Sequence, residues 1–168
     1  MTPALTTPRL ILRLPQAGDW RFYRAYRFSP RSTLAGEDEG MAWTHFAAFF
    51  GHWTLRGFGR FIAQDRLTGD PIGHFGPFHP AGHAEGELTW TLWDASSEGQ
   101  GLALEAASAT RANAFSTLGW TTAVSHIDAA NTRSQALATR LGARRDETAM
   151  GPCGPAIQVW RHPVQAVA

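Results

Sequence analysis

The chain has 168 residues, 43% hydrophobic and 17% charged, with seven Trp and ten Phe, which is the composition of a folded globule and not of a disordered segment. A formal charge of +1, with the basic residues scattered, argues against a protein that binds nucleic acid or an anionic membrane by charge. The lone Cys153 rules out an intrachain disulfide and any paired-cysteine metal site, and no apolar run approaches the roughly 20 residues of a membrane span. The length suits one domain over residues 1–168. Residues 1–8 do not read as a targeting segment, so a cytoplasmic location is expected.

Taken in chain order, residues 9–14 alternate, with Leu10, Leu12 and Leu14 on one face of a strand. Residues 17–28 read as a helix, with Asp19 near its start and Pro30 just beyond it. A polar loop over 29–40 carries the acidic run Glu37, Asp38 and Glu39. A helix over 41–56 follows, with Trp43, Phe46, Phe50 and Trp53 on one stripe, read as core packing. Residues 60–65 and 72–78 form a hairpin about the turn-rich 67–71. Along 86–93, Leu88, Trp90 and Leu92 face one way and Glu87, Thr89 and Thr91 the other. An Ala-rich helix then runs to Leu118 and stops at Gly119. A strand over 121–127, a helix from an Asn131 cap to Leu141, and one or two last strands, the named one over 156–161, complete the chain. Antiparallel strands followed by a βαβα portion imply a mixed, mostly antiparallel α/β (α+β) sheet flanked by helices.

The stretch most informative about chemistry joins the 86–93 strand to the Ala-rich helix. Gly99 and Gly101 allow positive φ and close backbone approach, and the first N–H groups of the helix carry no intrahelical partner. With the helix dipole they make a cradle for a phosphate or pyrophosphate. The same glycines would also serve a plain tight turn, and spacing alone does not separate the two.

Read onto Glu98, Gly99, Gln100, Gly101, Leu102 and Ala103, this loop resembles the acetyl-CoA pyrophosphate loop of GNAT N-acetyltransferases. Glu98 departs from the usual Gln or Arg. Thr7-Pro8-Arg9-Leu10-Ile11-Leu12-Arg13, the acidic and aromatic strand from Gly86 to Leu92, and Asn131 through Ser134 to Leu137 with Arg140-Leu141-Gly142 resemble the RimJ/RimL-like branch, the ribosomal-protein-alanine acetyltransferase type. Ala143 stands where that branch usually has Phe. The resemblance implies the GNAT fold and transfer of an acetyl group from acetyl-CoA to an amine, a protein N-terminus or a small molecule, in a ternary complex without a metal. It further implies that the backbone of Thr91, Leu92 and Trp93 pairs with pantetheine, that Asn131 bonds it, and that Ser134 lies near the CoA sulfur.

Amine acetylation needs a neutral amine, a stabilised oxyanion and a proton for the leaving thiolate. Ser134 is the candidate acid, although it would equally stabilise a helix start. Glu87 is the candidate for carrying the amine proton through water, with Glu85 in competition and a solvated strand glutamate as the plain account. His74, His79 and His83 cluster, but they lack the spacing of a helical metal pair. Cys153 reads as incidental. An acyl-CoA-binding domain without turnover is the alternative that Glu98 keeps open, and exposed aromatics are compatible with a homodimer.

Overall fold

The computed structural model describes residues 4–32, 36, 38–152, 154 and 156–164; Glu37 and Cys153 lie outside them. Eight strands form one sheet in the order β1-β2-β3-β4-β5-β6-β8-β7. They are β1 Leu5–Thr6, β2 Leu10–Arg13, β3 Phe61–Asp65, β4 Pro71–Phe78, β5 Glu87–Leu92, β6 Val124–Asp128, β7 Arg144–Asp146 and β8 Ile157–Arg161. Only β5 and β6 run parallel; every other neighbouring pair is antiparallel. The edge strand β1 was not expected from the sequence, since it is too short to show a period, and β7 with β8 makes two closing strands of the one or two expected.

Four helices cover the sheet: α1 Trp20–Arg27, α2 Glu39–Arg56, α3 Leu102–Ser116 and α4 Thr132–Arg140. On one face, Tyr23, Phe46 and Phe49 of α1 and α2 pack against Ile62 and Trp93. On the other, Leu102, Ala106 and Ala107 of α3 pack against Leu10, Leu12, Phe61 and Phe75 of the strands. Helix α4 seats Ala138 against Ile127 and Ala143. Gly76, at φ 119°, lets α3 approach closely, because a Cβ there would meet the Thr110 side chain at 3.2 Å.

The buried stripe of α2 differs from the expected one. Ala42, Phe46 and Phe49 are buried, whereas Trp43 and Phe50 are 50% and 37% exposed. The helical period carries the core face through 42, 46, 49 and 53, so Trp43 and Phe50 flank it. Asp38 caps α2 by accepting from the Met41 N–H at 2.8 Å, which explains its place in the acidic run. Glu39 pairs with Arg24 at 2.8 Å on the surface.

Candidate active site

Strands β5 and β6 are registered at Glu87↔Val124, at the start of both strands. There the Ser125 hydroxyl donates to the Leu88 carbonyl at 2.6 Å and receives a hydrogen bond from His162 Nε2 at 2.9 Å. Burial, then the nearby Arg111, pushes His162 down to about 4, so it is neutral at pH 7. Beyond this latch lies a cleft between the end of β5 and the start of α4, the kind of crevice that opens at the carboxyl ends of parallel strands.

Trp90, Thr91, Leu92, Glu98, Gly99, Gly101 and Ala103 line that cleft, facing Arg133, Ala136 and Leu137 of α4. Asn131 lies at its continuation with Tyr26 and Arg31. Gly99 and Gly101 both have positive φ, 72° and 77°, and Gly101 is the N-cap of α3. The loop is tied to the start of the sheet. Glu105, in the first turn of α3, accepts from Thr7 Oγ1 at 2.6 Å and from the Arg9 side chain at 2.7 Å, and Arg9 donates to the Gln100 carbonyl at 2.8 Å. The opening Thr-Pro-Arg phrase therefore buttresses the glycine loop.

Not every expected residue faces the cleft. Trp93 is buried; its N–H goes to the Ile72 carbonyl at 2.8 Å and its indole to His74 Nδ1 at 2.9 Å. The side chain of Leu102 enters the core, and that of Gln100 bonds the Ser96 carbonyl at 2.5 Å. Both then border a separate groove beside Arg9.

Glu98 bridges two arginines that sequence reasoning missed. Its carboxylate oxygens meet Arg31 at 2.6 Å and Arg133 at 2.8 Å. Arg140 lines the same cleft, so three arginines face one carboxylate and the cleft carries net positive charge. Arg133 sits inside the Asn131–Ser134 phrase and was findable there; nothing local marks Arg31.

Asn131 caps α4, its side-chain oxygen accepting from the Ser134 N–H at 3.0 Å. The Ser134 hydroxyl oxygen accepts from the Trp90 indole at 3.2 Å, which leaves its own O–H free to donate. On the opposite face of the sheet, Glu87 is mostly buried and its Oε2 lies 3.2 Å from His126 Nδ1. Glu85, the competing carboxylate, is held by Arg161 at 2.6 Å and by Thr122 at 2.7 Å. The Arg161 hydrogen bonds keep it below the usual carboxylate range, against a partial opposing effect of burial.

The three clustered histidines separate. His74 is buried and held well below its ordinary pKa by burial, with Arg60 and Arg27 adding to the effect. His79 bonds the His83 carbonyl at 3.0 Å. His83 instead joins Glu87 and His126, whose ligand atoms lie within 4.8 Å of one another; among the described residues this is the one group with the composition and spacing to hold a metal ion.

A second cavity, about 710 Å³, lies between α1, α2 and β4 and meets the cleft at Tyr26 and Thr91. Among the described residues no helix is long and apolar enough to cross a membrane.

Residues 9–144 match the family model for the acetyltransferase (GNAT) domain. The chain is similar to the acetyltransferase from Agrobacterium tumefaciens strain C58, with 36% identity, coverage of 96% of this chain and 95% of that one, and a TM-score of 0.88. A structure named for ribosomal-protein-serine acetyltransferase activity, from Vibrio cholerae, is 25% identical, with coverage of 96% and 98% and a TM-score of 0.75. The ribosomal-protein-S5-alanine acetyltransferase from Vibrio fischeri shares the fold at 14% identity, with coverage of 97% of each chain and a TM-score of 0.73. No curated protein matches the chain.

Proposed function

The chain belongs to the GNAT acetyltransferase family, and from that premise we propose that it moves an acetyl group from acetyl-CoA directly to a primary amine in a ternary complex. The observation that carries this reading is the junction of the two spaces at Tyr26 and Thr91. A positively charged cleft with a glycine-loop helix start opens there into a separate cavity. A cofactor in the first and an acceptor in the second meet without either leaving its site, so no covalent enzyme intermediate is needed.

Acetyl-CoA supplies the thioester whose carbonyl carbon the amine attacks. The loop from Gly99 to Ala103 cradles its pyrophosphate by backbone N–H groups at the positive end of α3. Arg31 and Arg133 add the charge that Glu98 partly neutralises. The backbone of Thr91 and Leu92 borders the pantetheine arm, and the Asn131 amide nitrogen remains to bond it while its oxygen caps α4.

The amine nitrogen forms the new C–N bond and the C–S bond breaks. Ser134, its oxygen steadied by the Trp90 indole, relays a proton to the departing thiolate, taking one from solvent water as it gives its own, so the hydroxyl ends the step neutral. The proton lost from the amine passes through water to Glu87, held beside His126. That assignment favours Glu87 over Glu85, whose carboxylate is committed to Arg161.

Thiol release from acetyl-CoA, followed across a panel of amines, tests the reading beside the CoA-dependent change in Tm. Amine-dependent release is expected. A CoA-dependent rise in Tm with no turnover on any amine would instead mark an acyl-CoA-binding module.

A further inference from the structure

The cavity beneath α2 contains a charge that the acetyl-transfer reading does not use. Arg60, just before β3, lies deep in the protein with part of its surface open to the cavity. Its guanidinium lies against the rings of Phe49 and Phe78, 4.5 Å and 4.3 Å from the ring centroids. Ring faces attract a cation but accept none of its five N–H donors in the plane. No carboxylate among the described residues forms an ion pair with it, and the carboxylate that acts on it, Glu87, does so only through space. A buried cation without a hydrogen-bonded anion is costly, so a protein that keeps one inside a cavity wall has a reason to do so.

The rest of the wall agrees. Arg27, Arg56 and three histidines, His45, His52 and His74, line the same cavity, and no Asp or Glu does so among the described residues. His52 and His74 are both held below their ordinary pKa, chiefly by burial. Asp38 and Glu39, the described residues of the acidic run, are engaged in a helix cap and in an ion pair with Arg24. The volume of about 710 Å³ suits a small molecule.

We propose that the acceptor is a small amine that also carries a carboxylate or phosphate, held by Arg60 inside this cavity with its amine end toward Thr91. The planar guanidinium offers two parallel N–H bonds to either anion, and the two aromatic faces keep it from swinging away. Such a fork orients the acceptor as well as binding it, which a flexible cation would not do. The assignment rests on the acetyl-transfer reading and narrows its acceptor class.

The test uses matched pairs on the full chain with acetyl-CoA: amino acids against their amides, and aminoalkyl phosphates against the corresponding amino alcohols. The anionic member of at least one pair is expected to have a kcat/KM about ten- to a hundredfold higher, the range for a charge-assisted hydrogen bond. The two arms tell carboxylate from phosphate. In Arg60→Met the preference falls toward unity, mainly through KM, while Arg60→Lys keeps part of it. The CoA-dependent rise in Tm reports that both variants are folded. Equal use of both members of every pair by the wild type, a preference for polyamines, or a preference unaltered in a folded Arg60→Met would overturn the inference. No thiol release with any amine, while CoA still raises Tm, would instead overturn the acetyl-transfer reading.

Discussion

The latch between β5 and β6 should make the protein sensitive to mild acid. His162 is buried, its Nε2–H bonded to Ser125, and its folded-state pKa is pushed to about 4 from an ordinary 6.5. Above pH 6.5 the ring is neutral whether the chain is folded or not, and it contributes no pH dependence. Between 6.5 and 4 the unfolded chain takes up the proton and the folded chain does not, so stability falls with pH. The full loss is about 3 kcal/mol by pH 4, of which about 2 kcal/mol is reached at pH 5. His162→Gln keeps a side-chain N–H for Ser125 but cannot titrate. Urea unfolding of both proteins at pH 7 and pH 5 isolates the effect, since His74 and the carboxylates contribute equally to each. The wild type should lose about 2 kcal/mol more than the variant over that interval. Parallel pH dependences would refute a neutral buried His162, and with it the view that this ring clamps β5 to β6.

The remaining expectations concern the cleft. Glu98→Gln removes the anion that competes with a pyrophosphate for Arg31 and Arg133, so CoA should bind a few-fold tighter at low salt, with a steeper salt dependence. Weaker binding would mean that Glu98 serves mainly to aim the arginines. Gly101→Ala puts a Cβ on a residue at φ 77°, where the added atom meets only ordinary contacts, the nearest being Arg9 at 3.6 Å. The backbone strain of about 1–2 kcal/mol falls on the free and the CoA-bound protein alike, so it should appear as an equal loss of stability in urea unfolding. Ser134→Ala should lower kcat about a hundredfold with little change in KM for acetyl-CoA. Glu87→Gln should lower kcat about a hundredfold with the KM for acetyl-CoA little changed, and an unchanged kcat would remove Glu87 from proton transfer.

Much of the cleft was legible in the sequence because it is made of short-range interactions. The alternation of β5 separates Leu88 from Glu87 whatever the neighbours are. The Asn131 cap and the Gly101 helix start each involve residues within three positions of one another. Helix α2 was found but its face was misjudged, because aromatic identity suggested Trp43 and Phe50 while the period selects Ala42 and Phe49. An exposed aromatic and a buried one look alike in a list of residues.

By itself the sequence determined the order of the helices and of the longer strands, the glycine loop at the head of α3 and the capped start of α4, each set by local dihedral preferences and hydrogen bonds a few residues long. Only the tertiary structure decided what surrounds them. Arg31 reaches Glu98 across 67 positions, Arg161 takes Glu85 out of contention across 76, and Glu105 braces the loop against Arg9 across 96. Arg60 becomes a candidate anion site only when α2 and β4 bring Phe49 and Phe78 against its guanidinium. Charges and ring faces act over a few ångströms in space, and which of them come within that range depends on how the sheet and helices pack.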